Sequence, residues 1–355
     1  MAARIRWLLL TAVWATACAT AGNEPPAQSA SPALPTKPLH RGPLTDFISS
    51  ASLRWLLLLK PQQLLTEPEL GQAILQIVPS ERFDAFAESS GVDLRVVPDA
   101  AIAGFPYSTL YVAELPRGSA ALARARFGER LLAGAVSKQP HPGLSRMTGV
   151  IGQTPETLLT IDDRLLALSV GDPVPAKIAE AYAEERLKHS PPALRGAALS
   201  TLPEVASSNV AVLFAPGPFA DEWQRAAGGL LQSAVAIAIT AQPVGNGKVA
   251  TTLYLAGAWQ DSADDAARRL SAAWSTFAQS SAGHLFELNE IAEVSASPDL
   301  LRLRVELELA ALVRGLRASV FADLSQILNL PPKTPKTPKT PQSAGERQSA
   351  PGATP

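Results

Sequence analysis

Val235-Ala236-Ile237-Ala238-Ile239-Thr240, an interval containing Gly245-Asn246-Gly247-Lys248, and Val249-Ala250-Thr251-Thr252-Leu253-Tyr254-Leu255 form the stretch that decides the fold. Side chains alternate at Val235, Ile237 and Ile239, and again at Val249, Thr251, Leu253 and Leu255, which is the period of a strand. Asn246-Gly247 tolerates the positive φ that a tight hairpin turn demands. The same residues fit a loose Gly245-x-Gly247-x-x-Ala250 dinucleotide spacing. That fingerprint works only where a strand runs straight into a helix whose amides meet the pyrophosphate. With strand on both sides, the hairpin reading prevails. Lys248 is not a P-loop lysine either, because Val249 stands where Ser or Thr is required.

Outward from this hairpin, residues 209–215 read as a strand and 218–231 as a helix, with a further helix over 262–280. A similar order precedes it. Residues 111–115 read as a strand, and 120–133 as a helix placing Leu122, Phe127, Leu131 and Leu132 near one face. Residues 157–161 and 165–170 form a hairpin over Asp162-Asp163-Arg164, and a helix covers 175–187 with Pro175 in its first turn. The repeated order predicts an α+β fold of duplicated β-α-β-β-α units, with antiparallel sheets covered by helices. Trp55-Leu56-Leu57-Leu58-Leu59 reads as a buried strand, and Ser80 as the cap of a helix reaching Ser90 and closed by Gly91. Residues 300–307 make another strand. Leu309, Leu312, Val313, Leu316, Val320, Leu324 and Ile327 stripe a last helix. The expected units are 46–205, with an N-terminal extension, and 206–330.

Before this body stand Arg4 and Arg6, an apolar run from Trp7 to Trp14, and Ala15-Thr16-Ala17-Cys18 with the sole cysteine. Positive, then apolar, then small is the order of an export signal, over residues 1–17. Ala15-Thr16-Ala17-Cys18 resembles the lipobox of bacterial lipoproteins. The resemblance implies that Cys18 becomes the first mature residue, is acylated, and anchors the chain to a membrane of the bacterial cell envelope. Ala15 stands where leucine is commonest in that box, and Ala15-x-Ala17 equally suits a signal peptidase that releases a secreted, soluble product. The apolar run is too short to span a bilayer. Residues 18–45 read as a Pro-, Ala-, Ser- and Thr-containing tether with a reach of about 30 Å. Residues 331–355 form a polar tail in which Lys333, Lys336 and Lys339 would line one edge of a polyproline II helix about 9 Å apart. Such an edge suits an anionic surface, and an unstructured solubilising tail is the other reading.

The chain has 355 residues, 46% of them hydrophobic, and a net charge of -1, so it can build a sizeable core and offers no footprint for nucleic acid. One cysteine allows no internal disulfide. His40, His141, His189 and His284 lie far apart, with no metal spacing and no Gly-x-Ser-x-Gly elbow, so neither cofactor, metal nor catalytic residue is expected. His141 and His189 sit among prolines and read as loop residues. Asp162-Asp163 suits a turn, Glu184-Glu185 a solvated helix face, and Asp264-Asp265 the first turn of a helix. Phe219, Trp223, Trp259, Trp274 and Phe277 read as core packing, with a ligand groove as the alternative. The sequence favours an envelope lipoprotein with a non-catalytic binding or scaffolding body whose partner is envelope protein or polymer. A carrier of an apolar ligand or lipid, and an enzyme of unrecognised type, are the alternatives.

Overall fold

The computed structural model describes residues 37–132, 135–187, 189–207, 209–220, 227–289 and 291–317. At its centre lies β1 (Trp55–Leu59). A strand with leucine on both faces needs cover on both sides, so it belongs inside a sheet rather than at its edge. β1 pairs antiparallel with β2 (Ala100–Phe105) on one side and β8 (Ala211–Pro216) on the other. Beyond β2 come β3 (Ser108–Glu114), β7 (Leu165–Gly171), β6 (Thr154–Ile161), β5 (Leu144–Ile151) and β4 (Val136–His141). Beyond β8 come β9 (Ala234–Gly245), β10 (Lys248–Gly257), β12 (Leu300–Glu308) and β11 (Glu293–Ala296). The result is one antiparallel sheet of twelve strands, shared by segments 46–205 and 206–330, with helices packed on it. The architecture is α+β. The β9–β10 hairpin turns at Asn246 and Gly247, whose φ values are +54° and +69°, as the sequence requires.

Directly opposed residues on neighbouring strands share a face. The register therefore draws one apolar row across the sheet, from Val294 through Leu303, Leu253, Ile239, Leu213, Leu57, Ile102, Tyr111 and Leu168 to Leu158. On this face, near the β6 end, lie α1 (Pro61–Thr66), α2 (Pro68–Ile77), α3 (Ser80–Ser90) and α4 (Ser119–Arg130). Near the other end lies α6 (Ala263–Ala278), whose Ala266 and Leu270 are buried with Leu255, Leu301 and Leu303.

The opposite face carries the largest core. There Leu56, Ala103, Leu110, Val112 and Phe214 pack with Phe47, Ile48, Leu199 and Leu202, and with Ala179, Tyr182 and Ala183 of α5 (Val174–Ala183). Strand β9 turns its alanines to this side: Ala236 and Ala238 are fully buried, while Val235 and Ile239 on the other face are exposed. A buried carboxylate on α5 lies here too. The Glu180 carboxylate on α5 accepts a hydrogen bond from Arg146 on β5 and lies 3.5 Å from the Arg186 guanidinium.

Several elements depart from the sequence reading for local reasons. α3 spans the expected residues and closes on Gly91 at φ +73°, but its cap position falls on Pro79, not Ser80. α4 ends at Arg130, short of residue 133, and buries Ala120, Ala123 and Phe127 while Leu122 stays exposed; Leu132 lies beyond its end and is exposed too. α5 ends at Ala183, short of residue 187; Glu184-Glu185 therefore leave the helix, with Glu185 at φ +52°. His141 is the last residue of β4 rather than a loop residue. The helix expected over 218–231 is not continuous: Gly228 and Gly229 adopt left-handed φ values of +65° and +78° within a short turn over Ala227–Gln232. Residues 221–226, Trp223 among them, lie outside the described residues, as do Val320, Leu324 and Ile327. The last helix is seen over residues 309–317.

Candidate functional site

Between the apolar row and the layer α1–α4 lies a cavity of about 590 Å³. Its floor is built by residues of β1, β2, β3, β7 and β6, among them Leu59, Ile102, Tyr111, Ala113, Leu168 and Leu158. Its roof comes from short helices, through Leu64 and Leu65 of α1, Ile74 of α2, and Phe83 and Phe86 of α3. Pro61 and Pro68 start α1 and α2 and break the chain into short segments that bridge the floor. Small side chains at Ala100 and Ala113 leave the space beneath them unfilled. The volume falls within the range of small-molecule sites, which join an apolar lining to a few polar groups.

Ser90, Tyr111, Arg130 and Glu156 supply the polar side chains of the lining. The Ser90 hydroxyl is engaged at the end of α3, donating to the Phe86 carbonyl at 2.6 Å and accepting from the Val92 amide at 3.1 Å. Burial pushes the Glu156 carboxyl above its ordinary range, and the nearby Arg130 guanidinium draws it partly back. Arg130 closes α4 with its guanidinium 5.9 Å from the Phe127 ring centroid. The sequence reading missed both groups. Glu156 did carry a signal, since it shares the inward alternation of Leu158 on β6.

A second hollow, of about 960 Å³, opens at the strand ends and shares Leu59 and Ala100 with the first. It is lined by charge. Buried Asp46 accepts from Arg195 at 3.1 Å and lies 3.0 Å from His40 Nε2. Arg41 pairs with Asp162 at 3.3 Å, and Arg164 with Glu114. Burial raises the Asp99 carboxyl, the Glu114 charge raises it further, and Lys60 opposes both. The one hydroxyl in this lining is Thr45. Ion pairs of this kind tie loop to strand end, and here they bind residues 40–46 to the β6–β7 turn and to Arg195.

The residues flagged from sequence are scattered. Asp162-Asp163 occupies the β6–β7 turn and Asp264-Asp265 the first turn of α6, as expected. Trp259 is buried in the core and Phe219 and Trp274 pack partly buried against the same cluster, whereas Phe277, expected in the core, is 46% exposed. Among the described residues no cluster of His, Cys, Asp and Glu could hold a metal ion. No described helix is long and apolar enough to cross a membrane. Cys18, Lys333, Lys336 and Lys339 lie outside the described residues. No protein-family model, curated protein or solved structure matches this chain.

Proposed function

We propose that the body is a ligand-binding module for an apolar or amphiphilic small molecule, carried by a lipoprotein of the bacterial envelope. One observation supports it above all: a cavity of about 590 Å³ whose lining is apolar apart from a few side chains. A body serving only as a scaffold has no need of such space, because an unfilled apolar cavity costs stability. In this reading Cys18 carries the acyl anchor, the stretch from Cys18 to Lys37 sets the body off the membrane, since residues 38–45 of the expected tether pack into the body through Leu39 and Thr45, and Lys333, Lys336 and Lys339 touch anionic headgroups or polymer. Several acyl chains on one cysteine would hold the chain firmly where one would not.

The order of strands supports a duplication as the origin of this body. Outward from β1 run β2, β3, β7 and β6, and outward from β8 run β9, β10, β12 and β11. Each half is then a strand, a hairpin reached through helical segments, a further helical crossing and a second hairpin, with β4 and β5 added to the first. The repeat begins at β1 and β8, earlier in the first half than the spacing of motifs suggests. The ligand site belongs to the first copy, whose α1–α3 have room beneath them.

The test is mass spectrometry of small molecules carried by the gently purified full chain, beside an Ala113→Phe variant that blocks the cavity floor. A lipid or other apolar compound carried by the first and lost from the second supports the reading. A chain that carries none, and binds no apolar fluorescent probe, overturns it.

A further inference from the structure

Two of the cavity's polar groups, Arg130 and Glu156, lie near each other. Glu156 faces Val170 across β6 and β7, one row beyond the Leu158–Leu168 row, so it marks one end of the floor. Leu59 and Ala100, with Leu64 and Leu65 above, mark the opposite corner. At roughly 3.3 Å per residue along a strand and 4.8 Å between strands, the diagonal from Glu156 on β6 to Leu59 on β1 is about 23 Å. One acyl chain covers about half of a 30 Å bilayer core, so the cavity is long enough for a single tail. We propose, building on the ligand-binding reading above, that the cavity takes a single-chain amphiphile with a carboxylate head, the head between Arg130 and Glu156 and the tail toward Leu59.

The choice of head follows from the two groups. Arg130 makes no ion pair among the described residues and rests against Phe127, leaving its N–H donors free for an incoming acceptor. Burial disfavours the charged form of Glu156, which lessens its repulsion of an anion beside it. A carboxylate is then the strongest acceptor for the guanidinium. A quaternary ammonium head would meet the repulsion of Arg130, and an alcohol would leave the guanidinium with a weaker partner.

Displacement of a fluorescent fatty-acid analogue from the lipid-free full chain tests this, with palmitate, hexadecanol and hexadecyltrimethylammonium as competitors below their micelle concentrations. Palmitate is expected to displace the probe about tenfold or more better than hexadecanol. Arg130→Gln, at an exposed helix end where folding is not at stake, should bring the two within about threefold while leaving hexadecanol unchanged. Equal displacement by palmitate and hexadecanol, or a ratio that Arg130→Gln does not move, overturns the head-group assignment and leaves the apolar cavity standing. Probe binding that is absent, or that persists unchanged in a folded Ala113→Phe variant, overturns the cavity reading as well.

Discussion

Replacing Glu180 by leucine tests what holds α5 to the sheet. Its side chain is 7% exposed and accepts from Arg146, itself only 19% exposed, whereas Arg186 is 58% exposed and adds little through solvent. Removing the carboxylate leaves the Arg146 charge beside the core without its partner. Breaking a buried pair in this way costs about 3–5 kcal/mol, and the residual exposure of Arg146 places this case near 3 kcal/mol. In a body of this size that corresponds to a fall in Tm of roughly 6–12 °C. Urea unfolding at neutral pH, with the slope unchanged, measures it. The double variant Glu180→Leu/Arg146→Met removes both charges and is expected to recover to within about 1 kcal/mol of the parent. A single variant that loses less than about 1 kcal/mol, or a double variant as unstable as the sum of its parts, would refute the reasoning.

Gly91→Ala places a Cβ 2.9 Å from the Ala123 amide nitrogen at φ +73°, and should cost about 2 kcal/mol in chemical denaturation. Phe127→Ala should lose about 3–5 kcal/mol by the same measurement and widen the cavity, so that a bulkier apolar probe gains affinity. Because the folded Glu156 carboxyl sits above its ordinary value of 4.5, its ionisation weakens the fold as pH rises through and above that value. Glu156→Gln is therefore more stable than the parent at neutral pH and equal to it in acid; thermal melts across pH check this, and equal melts at neutral pH would contradict it. Cys18→Ser should move the protein from the membrane to the soluble fraction on fractionation, and a protein that stays with the membrane is not held by that residue.

The hairpins were legible because their signals are local: Asn246-Gly247 and Asp162-Asp163-Arg164 each stand between strands of clear periodicity. β2 was not. Ala100-Ala101-Ile102-Ala103-Gly104-Phe105 has weak strand preference, and becomes a strand because β1 and β3 flank it. Alternation on β9 revealed the period but not which face is sealed, since Ala236 and Ala238 pack more tightly than Val235 or Ile239. The cavity had no contiguous signature at all. It joins Leu59, Phe86, Arg130 and Leu168, which only the sheet order and the α1–α4 layer bring together.

The β1–β8 seam also sets a timetable. About 150 residues separate the end of β1 from the start of β8, so at roughly 5–20 residues per second a growing chain waits about 8–30 s for the strand that completes its central pairing. Throughout that wait one flank of Leu56-Leu57-Leu58-Leu59 offers bare amides beside leucine, the kind of edge on which nascent chains stick to one another. A polypeptide kept as an unfolded thread by a holdase until its last third has been made escapes that hazard, because both strands then become available in the same instant.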